Sequence, residues 1–269
     1  MLTIRDLNYS YPDGSQALRG IHVDLGEDPC TAVIGSNGSG KSTLFLNALG
    51  ILKPSSGIIE YLGKPLSYQK KALREYHRQV NLLMQDPERQ IFYASILEDV
   101  SFALRNMGYD EKTVEVLARE AVRRVHLEDC MDKNIYQLSY GQKKRAAFAG
   151  LLAMKPKLLF LDEPTAGLDP MMREEMIQIL KESMEQGTRI ILSSHDLDFV
   201  LRISQTVLIL KEGQVLGYGP TEKILLDSLL IRDAGLIQPL QVRLHLEARL
   251  PLYREEIELI HFCRDEMNR

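Results

Sequence analysis

The residues able to do chemistry stand at the ends of short apolar runs. Gly35, Ser36, Asn37, Gly38, Ser39, Gly40, Lys41 and Ser42 read GSNGSGKS and fit the pattern G-x-x-x-x-G-K-[ST]. The run follows the apolar TAVI and precedes STLFLNALG, so a strand should feed the loop and a helix should leave it. Glycines there let backbone amides wrap a phosphate chain, and the helix dipole favours its negative charge. Lys41 reaches the outer phosphates, Ser42 ligates Mg²⁺, and Thr43 stands ready at the next position.

A second apolar run, LLFLDE at Leu158 to Glu163, ends in two carboxylates. Such acids emerge at the carboxyl edge of a sheet, where open α/β sheets bind ligands. Alternation along the strand predicts that they point opposite ways, so Asp162 can hold Mg²⁺ while Glu163 polarises an attacking water. His195 in SSHD and Gln85 at the close of VNLLMQ end two further apolar runs. Each alone is an ordinary structural or solvated residue, and convergence on one phosphate loop is what makes them candidates.

Two helix starts carry double readings. Asp169 in AGLDP is an N-cap with Pro170 at the first helical position and Glu174 and Glu175 expected in the opening turn. Ser139 and Gln142 in LSYGQ match the capping box S-x-x-Q, while the exposed amides of the same turn, with Gly141, offer a second anion seat. Capping by itself does not choose between a well-started helix and a phosphate site.

The elements that must position these residues follow from periodicity. Leu2 to about Asp24 alternates around the turn YPDGS and predicts an antiparallel hairpin, and GIIEYLGKPL is strand-like with a glycine turn. VNLLM predicts a strand, QDPERQIF a loop, and a helix begins near Asp110 with Val114, Leu117, Ala118, Ala121, Val122 and Val125 at helical spacing. The stretch from Val80 to Asp132 therefore reads as mostly helical. From Lys157, apolar strands alternate with helices, the mark of a parallel sheet covered by helices, before TVLILKEGQVLGYG closes as a hairpin. Past Pro220, short leucine-rich helical pieces interrupted by Pro239 and Pro251 form an appendage of about fifty residues.

Composition bounds the class. With 269 residues, 45% hydrophobic and 26% charged, the chain suits one large core domain with a smaller attachment. A formal charge of -4 argues against retention on nucleic acid by overall charge. Cys30, Cys130 and Cys263 are odd in number and far apart, which suits a reducing cytosol and packing roles. No segment approaches the roughly 20 apolar residues that span a bilayer, and the N-terminus lacks a secretory pattern, so a cytoplasmic protein is expected. The six histidines are scattered without metal-ligand spacing.

The order of motifs (phosphate loop, Gln85, LSYGQ, LLFLDE, LDP, His195) resembles the ATPase domain of the ATP-binding cassette (ABC) family over roughly Met1 to Gly219. The resemblance implies an α/β fold: a P-loop NTPase core of the ABC ATPase type, with an N-terminal antiparallel β subdomain, a helical insertion over about 86–155 and a C-terminal helical appendage over 220–269. In that family two domains pair head to tail, with ATP between the phosphate loop of one and the LSGGQ-like helix start of the other. Ser139, Gly141 and Gln142 would then serve ATP held by the partner's Gly35 to Thr43. Tyr11 would stack on adenine, Gln85 would touch Mg²⁺ and the water, Glu163 would be the catalytic carboxylate, His195 the switch histidine, and Asp169 would lie at the dimer boundary. Tyr140 replaces the family's first glycine of the pair.

QDPERQIF with SILEDVSFALRNMG, LSYGQKKR and the tail AGLIQPLQVRLHLEARL resemble the ATPase subunits of energy-coupling-factor importers, particularly the cobalt/nickel branch. This implies a homodimer or a heterodimer with a related ATPase, peripheral at the cytoplasmic membrane face. Asp86 to Phe92 would lie near a groove that receives a coupling helix of an integral membrane subunit, and the tail would aid dimerisation. The cofactors expected are ATP and Mg²⁺. A soluble ABC ATPase acting on nucleic acid or ribosomes is the alternative, lacking here the long coiled coil or second cassette usual for it. A nucleotide-gated scaffold without turnover is disfavoured by the intact Glu163 and His195.

Overall fold

The computed structural model describes residues 1–131 and 133–267. Asp132, which ends the stretch read as helical, and Asn268 and Arg269, at the end of the expected appendage, lie outside the described residues. The chain forms two compact units, one of Met1–Leu44, Pro54–Gly63 and Ser193–Arg269, the other of Phe45–Lys53 and Lys64–Leu192.

In the first unit, β1 (Leu2–Ser10) buries Leu2 and Ile4, then Leu7 and Tyr9, the period-two alternation that the sequence predicts, shifted by one residue at the irregularity around Asp6, which stands at φ +48. It pairs antiparallel with β2 (Gln16–Leu25), Ile4 opposite Val23, and the turn between them closes through Gly14 N–H to Tyr11 O at 2.9 Å. β3 (Cys30–Ile34) is buried along its whole length and precedes the loop that leads into helix α1 (Lys41–Ala48). β4 (Ser56–Tyr61) pairs with the other edge of β1, Ile4 opposite Ile59. The short β5 (Lys64–Pro65), helix α2 (Lys70–His77) and β6 (Val80–Leu83) open the longest stretch of the second unit.

In that second unit the helical segment is α3 (Ile96–Asn106), α4 (Glu111–Arg124) and α5 (Tyr140–Ala153), which pack on one another. α4 buries Val114, Ala118, Ala121 and Val122, and Val125 at its C-cap is buried as well, five of the six positions read from its spacing; Asp110 caps the helix by accepting from Thr113 N–H at 3.1 Å. β7 (Leu158–Asp162) runs parallel to β6, with Leu83 opposite Leu161, as the alternation of strands and helices requires. α6 (Pro170–Glu185) and β8 (Arg189–Ser193) complete the pattern, β8 lying on the far side of β7 from β6. Helix α2 was not legible in KKALREYH. Its Tyr76 hydroxyl meets Ala48 O and its His77 Nε2 meets Leu49 O, both at 2.8 Å, so α2 satisfies carbonyls that the end of α1 leaves unpaired.

The first unit resumes with α7 (Leu197–Ile203) and β9 (Thr206–Lys211), which runs parallel to β3, and β10 (Gln214–Pro220), which returns antiparallel beside it. Lys211 pairs with Gln214 around Glu212 and Gly213, both at positive φ, the two-residue hairpin turn whose twist matches the strands. The appendage comprises α8 (Thr221–Leu226), α9 (Ser228–Asp233), α10 (Leu240–Ala248) and α11 (Glu256–Met267). Ile224, Leu225, Ile231 and Val242 are buried, and α8 packs on β10 and α7. Pro239 sits at the N-cap of α10, where its missing N–H costs nothing.

Candidate functional site: an anion loop and an acid-bearing turn

The anion loop belongs to the first unit. Gly35 has φ +148, and a Cβ there would stand 2.2 Å from the backbone oxygen of Leu210, so no other residue fits. The crest Ser36, Asn37 and Gly38 is exposed, with Gly38 at φ +79. Beneath it, Ser39 N–H donates to Ser36 O at 3.2 Å, and Gly213 N–H fixes Ser39 O at 3.0 Å. The Lys41 ammonium donates to the carbonyls of Gly35 at 2.7 Å and Ser36 at 3.1 Å, which lays its long side chain along the loop.

Tyr11, in the β1–β2 turn, meets the Thr43 hydroxyl at 2.9 Å and stands edge-on to Tyr9. Ser42 is exposed at the start of α1. His195 is exposed one residue beyond Ser194, whose N–H donates to Val33 O at 3.3 Å, so the histidine follows the strand end beside which the loop begins. Asp196 caps α7 through Phe199 N–H at 3.0 Å.

Gly35 and Gly40 form a cradle that a Cβ would fill, since one added at Gly40 would lie 2.8 Å from Ala17 O. The Ser39 hydroxyl is buried without a hydrogen-bond partner among the described residues. Helix-start amides, a lysine and an orphaned hydroxyl suit a phosphate chain.

The second unit carries the remaining candidates. Asp162 ends β7, but Glu163 lies past the strand at φ +48, in the left-handed region that a non-glycine residue enters at a cost. Glu163 therefore does not continue the strand whose alternation was expected to set the two acids apart. Glu163 is only 8% exposed, and its carbonyl accepts from Ala166 N–H at 3.2 Å.

Ser139 and Gln142 form the reciprocal capping box: the Ser139 hydroxyl accepts from Gln142 N–H at 3.3 Å, and the Gln142 side chain accepts from Ser139 N–H at 3.0 Å. Asp169 caps α6 by accepting from Met172 N–H at 2.9 Å. Gly141 is buried against that turn, where a Cβ would come 2.3 Å from Met172 Sδ, so the LSYGQ and LDP starts are neighbours in one chain. Glu174 and Glu175 fall after the first turn of α6, contrary to the sequence expectation. Glu175 instead pairs with Arg145 at 2.8 Å, tying α6 to α5.

Two residues that the sequence did not assign to the site join it. The Tyr140 hydroxyl donates to Gln85 O at 3.0 Å, and its ring covers Gly167, where a Cβ would sit 2.8 Å from it. Lys144 is fully buried, and its ammonium donates to Glu163 O at 2.7 Å and Ala166 O at 3.1 Å, beneath the Tyr140 ring at 5.7 Å. Burial pushes the Lys144 ammonium down to about 8, against the opposing pull of Glu163, Asp162 and Asp86. A lysine amid KKRAAFAG, on a helix buried nearly all round, was the available signal.

Beyond Gln85, Asp86 caps a short turn at Pro87–Arg89, and Gln90 holds Met84 N–H and Leu82 O. Next to it lies a groove of about 600 Å³ lined by Arg74, His77, Phe92, Phe102 and Met107 among others, with Phe92 73% exposed.

Comparison with known proteins agrees with both units. The ABC transporter family model matches residues 18–166. A putative ABC transporter ATP-binding protein of Listeria monocytogenes is 44% identical over 258 residues, 96% of each chain. A cobalt import ATP-binding protein CbiO of Salmonella paratyphi A is 42% identical over 261 residues, 97% of this chain and 96% of that one. An energy-coupling factor transporter ATP-binding protein EcfA3 of Clostridium perfringens is 42% identical, over 89% of this chain and 84% of its own. Among solved structures, CbiO1 of Clostridium perfringens, part of the transporter complex cbiONQ, superimposes with a TM-score of 0.79 at 40% identity, covering 91% of this chain and 94% of that one. The chain belongs to the ABC transporter family, among its ATP-binding proteins.

Proposed function

We propose that this chain is the ATP-hydrolysing motor of an energy-coupling-factor importer with a cobalt or nickel cargo, working as a head-to-tail pair of identical or related ATPases. What supports the reading is the pairing in one chain of two segments suited to phosphate, the glycine loop at Gly35 to Thr43 and the capped α5 start at Ser139 to Gln142. A protein with one nucleotide per chain has use for both only if each seat serves a different copy. Relatives named for cobalt import and energy coupling, matched across most of their length, support the choice of importer and cargo.

The roles follow the family's arrangement. Gly35, Ser36, Asn37, Gly38, Ser39, Gly40, Lys41 and Thr43 take the phosphates, and Tyr11 takes the adenine face. Ser139, Gly141 and Gln142 take the terminal phosphate held by the partner, and Asp169 stands at the boundary. Ser42, Gln85 and Asp162 offer hydroxyl, amide and carboxylate oxygens, the donor set a hard ion such as Mg²⁺ prefers, and the bound ion would neutralise phosphate charge. Glu163 polarises the attacking water, and His195 contacts the terminal phosphate.

Residues 1–219 serve as the ATPase domain, with 86–155 as its helical insertion. The appendage at 220–269 offers exposed Leu229, Ile237, Leu240, Ile257 and Ile260 as apolar surface for dimerisation. The groove beside Gln90 and Phe92 receives a membrane subunit's coupling helix, keeping the chain peripheral at the cytoplasmic face. No helix of the described residues is long and apolar enough to cross a membrane.

Reconstituting the chain with its membrane subunits in vesicles tests the reading. ATP inside the vesicle-accessible compartment is expected to drive uptake of ⁵⁷Co²⁺ or ⁶³Ni²⁺, and the assembly is expected to hydrolyse ATP faster than the free chain. Turnover stimulated by nucleic acid and indifferent to the membrane subunits would overturn it.

A further inference from the structure

We propose that Lys144 is a positioning residue for Glu163, so that the helix presenting LSYGQ to one nucleotide also sets the acid that acts on the other. This rests on the reading of Glu163 as the catalytic carboxylate. Lys144 lies on α5, one turn beyond the Ser139–Gln142 seat. Its ammonium reaches the two carbonyls, Glu163 O and Ala166 O, that bracket the turn leaving β7. Glu163 holds φ +48, a conformation that persists only where its surroundings over-determine it. The turn closes internally through Ala166 N–H to Glu163 O at 3.2 Å, and Lys144 adds a shorter, charge-assisted bond at 2.7 Å to the same oxygen.

The lysine is itself held. The Tyr140 ring lies over its ammonium, and the Tyr140 hydroxyl binds Gln85 O, so the start of α5, the residue closing β6 and the turn after β7 share one chain of contacts. Arg145, the next residue, pairs with Glu175 and donates to Val125 O at 3.1 Å, so α5 cannot rotate about its axis without breaking contacts on its other side. Movement of the α5 start on engaging a partner's nucleotide is thereby transmitted to the Glu163 carbonyl. The two half-sites of one chain are coupled inside the second unit, through a side chain that touches neither nucleotide.

The test uses the full chain. Lys144→Met keeps length and apolar bulk and removes the donor. It is expected to lower kcat for ATP about tenfold with KM changed less than twofold, because binding groups are untouched while the acid loses its setting. In the nucleotide-free protein, hydrogen exchange at the Ala166 amide is expected to accelerate at least tenfold. Lys144→Gln, which restores an N–H donor, should recover most of both effects and stands as the deciding variant should the methionine protein not fold. In the Glu163→Gln background, Lys144→Met should reduce the residual rate no further, since both act through one group.

Parent-level kcat for Lys144→Met, an equal tenfold loss in the Glu163→Gln background, or unchanged Ala166 exchange would each overturn the inference. If Glu163→Gln itself hydrolysed ATP at the parent rate, the underlying assignment of the acid would fall instead, so the two failures are distinguishable.

Discussion

Replacing Glu163 by Gln is expected to lower steady-state phosphate release about 10²- to 10⁴-fold, the range typical for loss of a general base. Glutamine keeps the size of the side chain and can still hydrogen-bond water, but it cannot take the proton. Glu163 is 8% exposed, and the buried Lys144 holds its backbone carbonyl, so the acid stands in a fixed turn from which bulk water is largely removed. ATP affinity should remain within a few-fold of the parent, because the phosphate loop lies on separate elements. The ATP-bound pair should accumulate, visible as a doubled mass in sedimentation with ATP and Mg²⁺. Hydrolysis within threefold of the parent would remove Glu163 from the role of base.

Lys41→Met should weaken ATP binding by about 10- to 100-fold, the 1.5–3 kcal/mol that hydrogen bonds to charged groups contribute. The lysine holds its ammonium on Gly35 O and Ser36 O with only 8% of the residue exposed, so it reaches the loop mouth without searching many rotamers. Methionine fills the same channel with no charge, which isolates the electrostatic contribution from packing. Equilibrium titration with a fluorescent ATP analogue measures the change. Unaltered affinity would show that the loop amides alone carry the phosphates.

The parts legible in the sequence were those that local chemistry decides. The phosphate loop is set by glycines whose φ values and close contacts exclude other residues, and the Ser139–Gln142 and Asp169 caps are set by side chains bonding a backbone three residues away. β1, α4 and β7 followed from periodicity because each faces a core on one side or lies wholly within it. What stayed hidden depends on residues far apart in the chain. Helix α2 is short and mostly polar, and Tyr76 and His77 tie it to carbonyls 28 residues upstream.

The turn at Glu163 looked like a strand end because nothing in LLFLDEP marks a left-handed residue. It is Lys144, 19 positions earlier, that binds its carbonyl. Tyr140 read as a departure from a glycine pair. Its contact with Gln85 O, 55 positions away, turns that departure into a link. Glu175 looked like dipole compensation in the first turn, but Arg145 claims it from another helix.

The central claim is that each ATP is completed by two chains, and mixing two inactive variants tests it most directly. Lys41→Met disables the loop seat. Ser139→Asp keeps an N-cap acceptor for Gln142 N–H while setting a carboxylate against the partner's phosphate. Each protein alone should be nearly inactive. In an equimolar mixture, random pairing makes half the dimers mixed, and each mixed dimer holds one intact loop facing one intact α5 start, so roughly a quarter of parent activity should return. A mixture no more active than the sum of its two components would contradict the account.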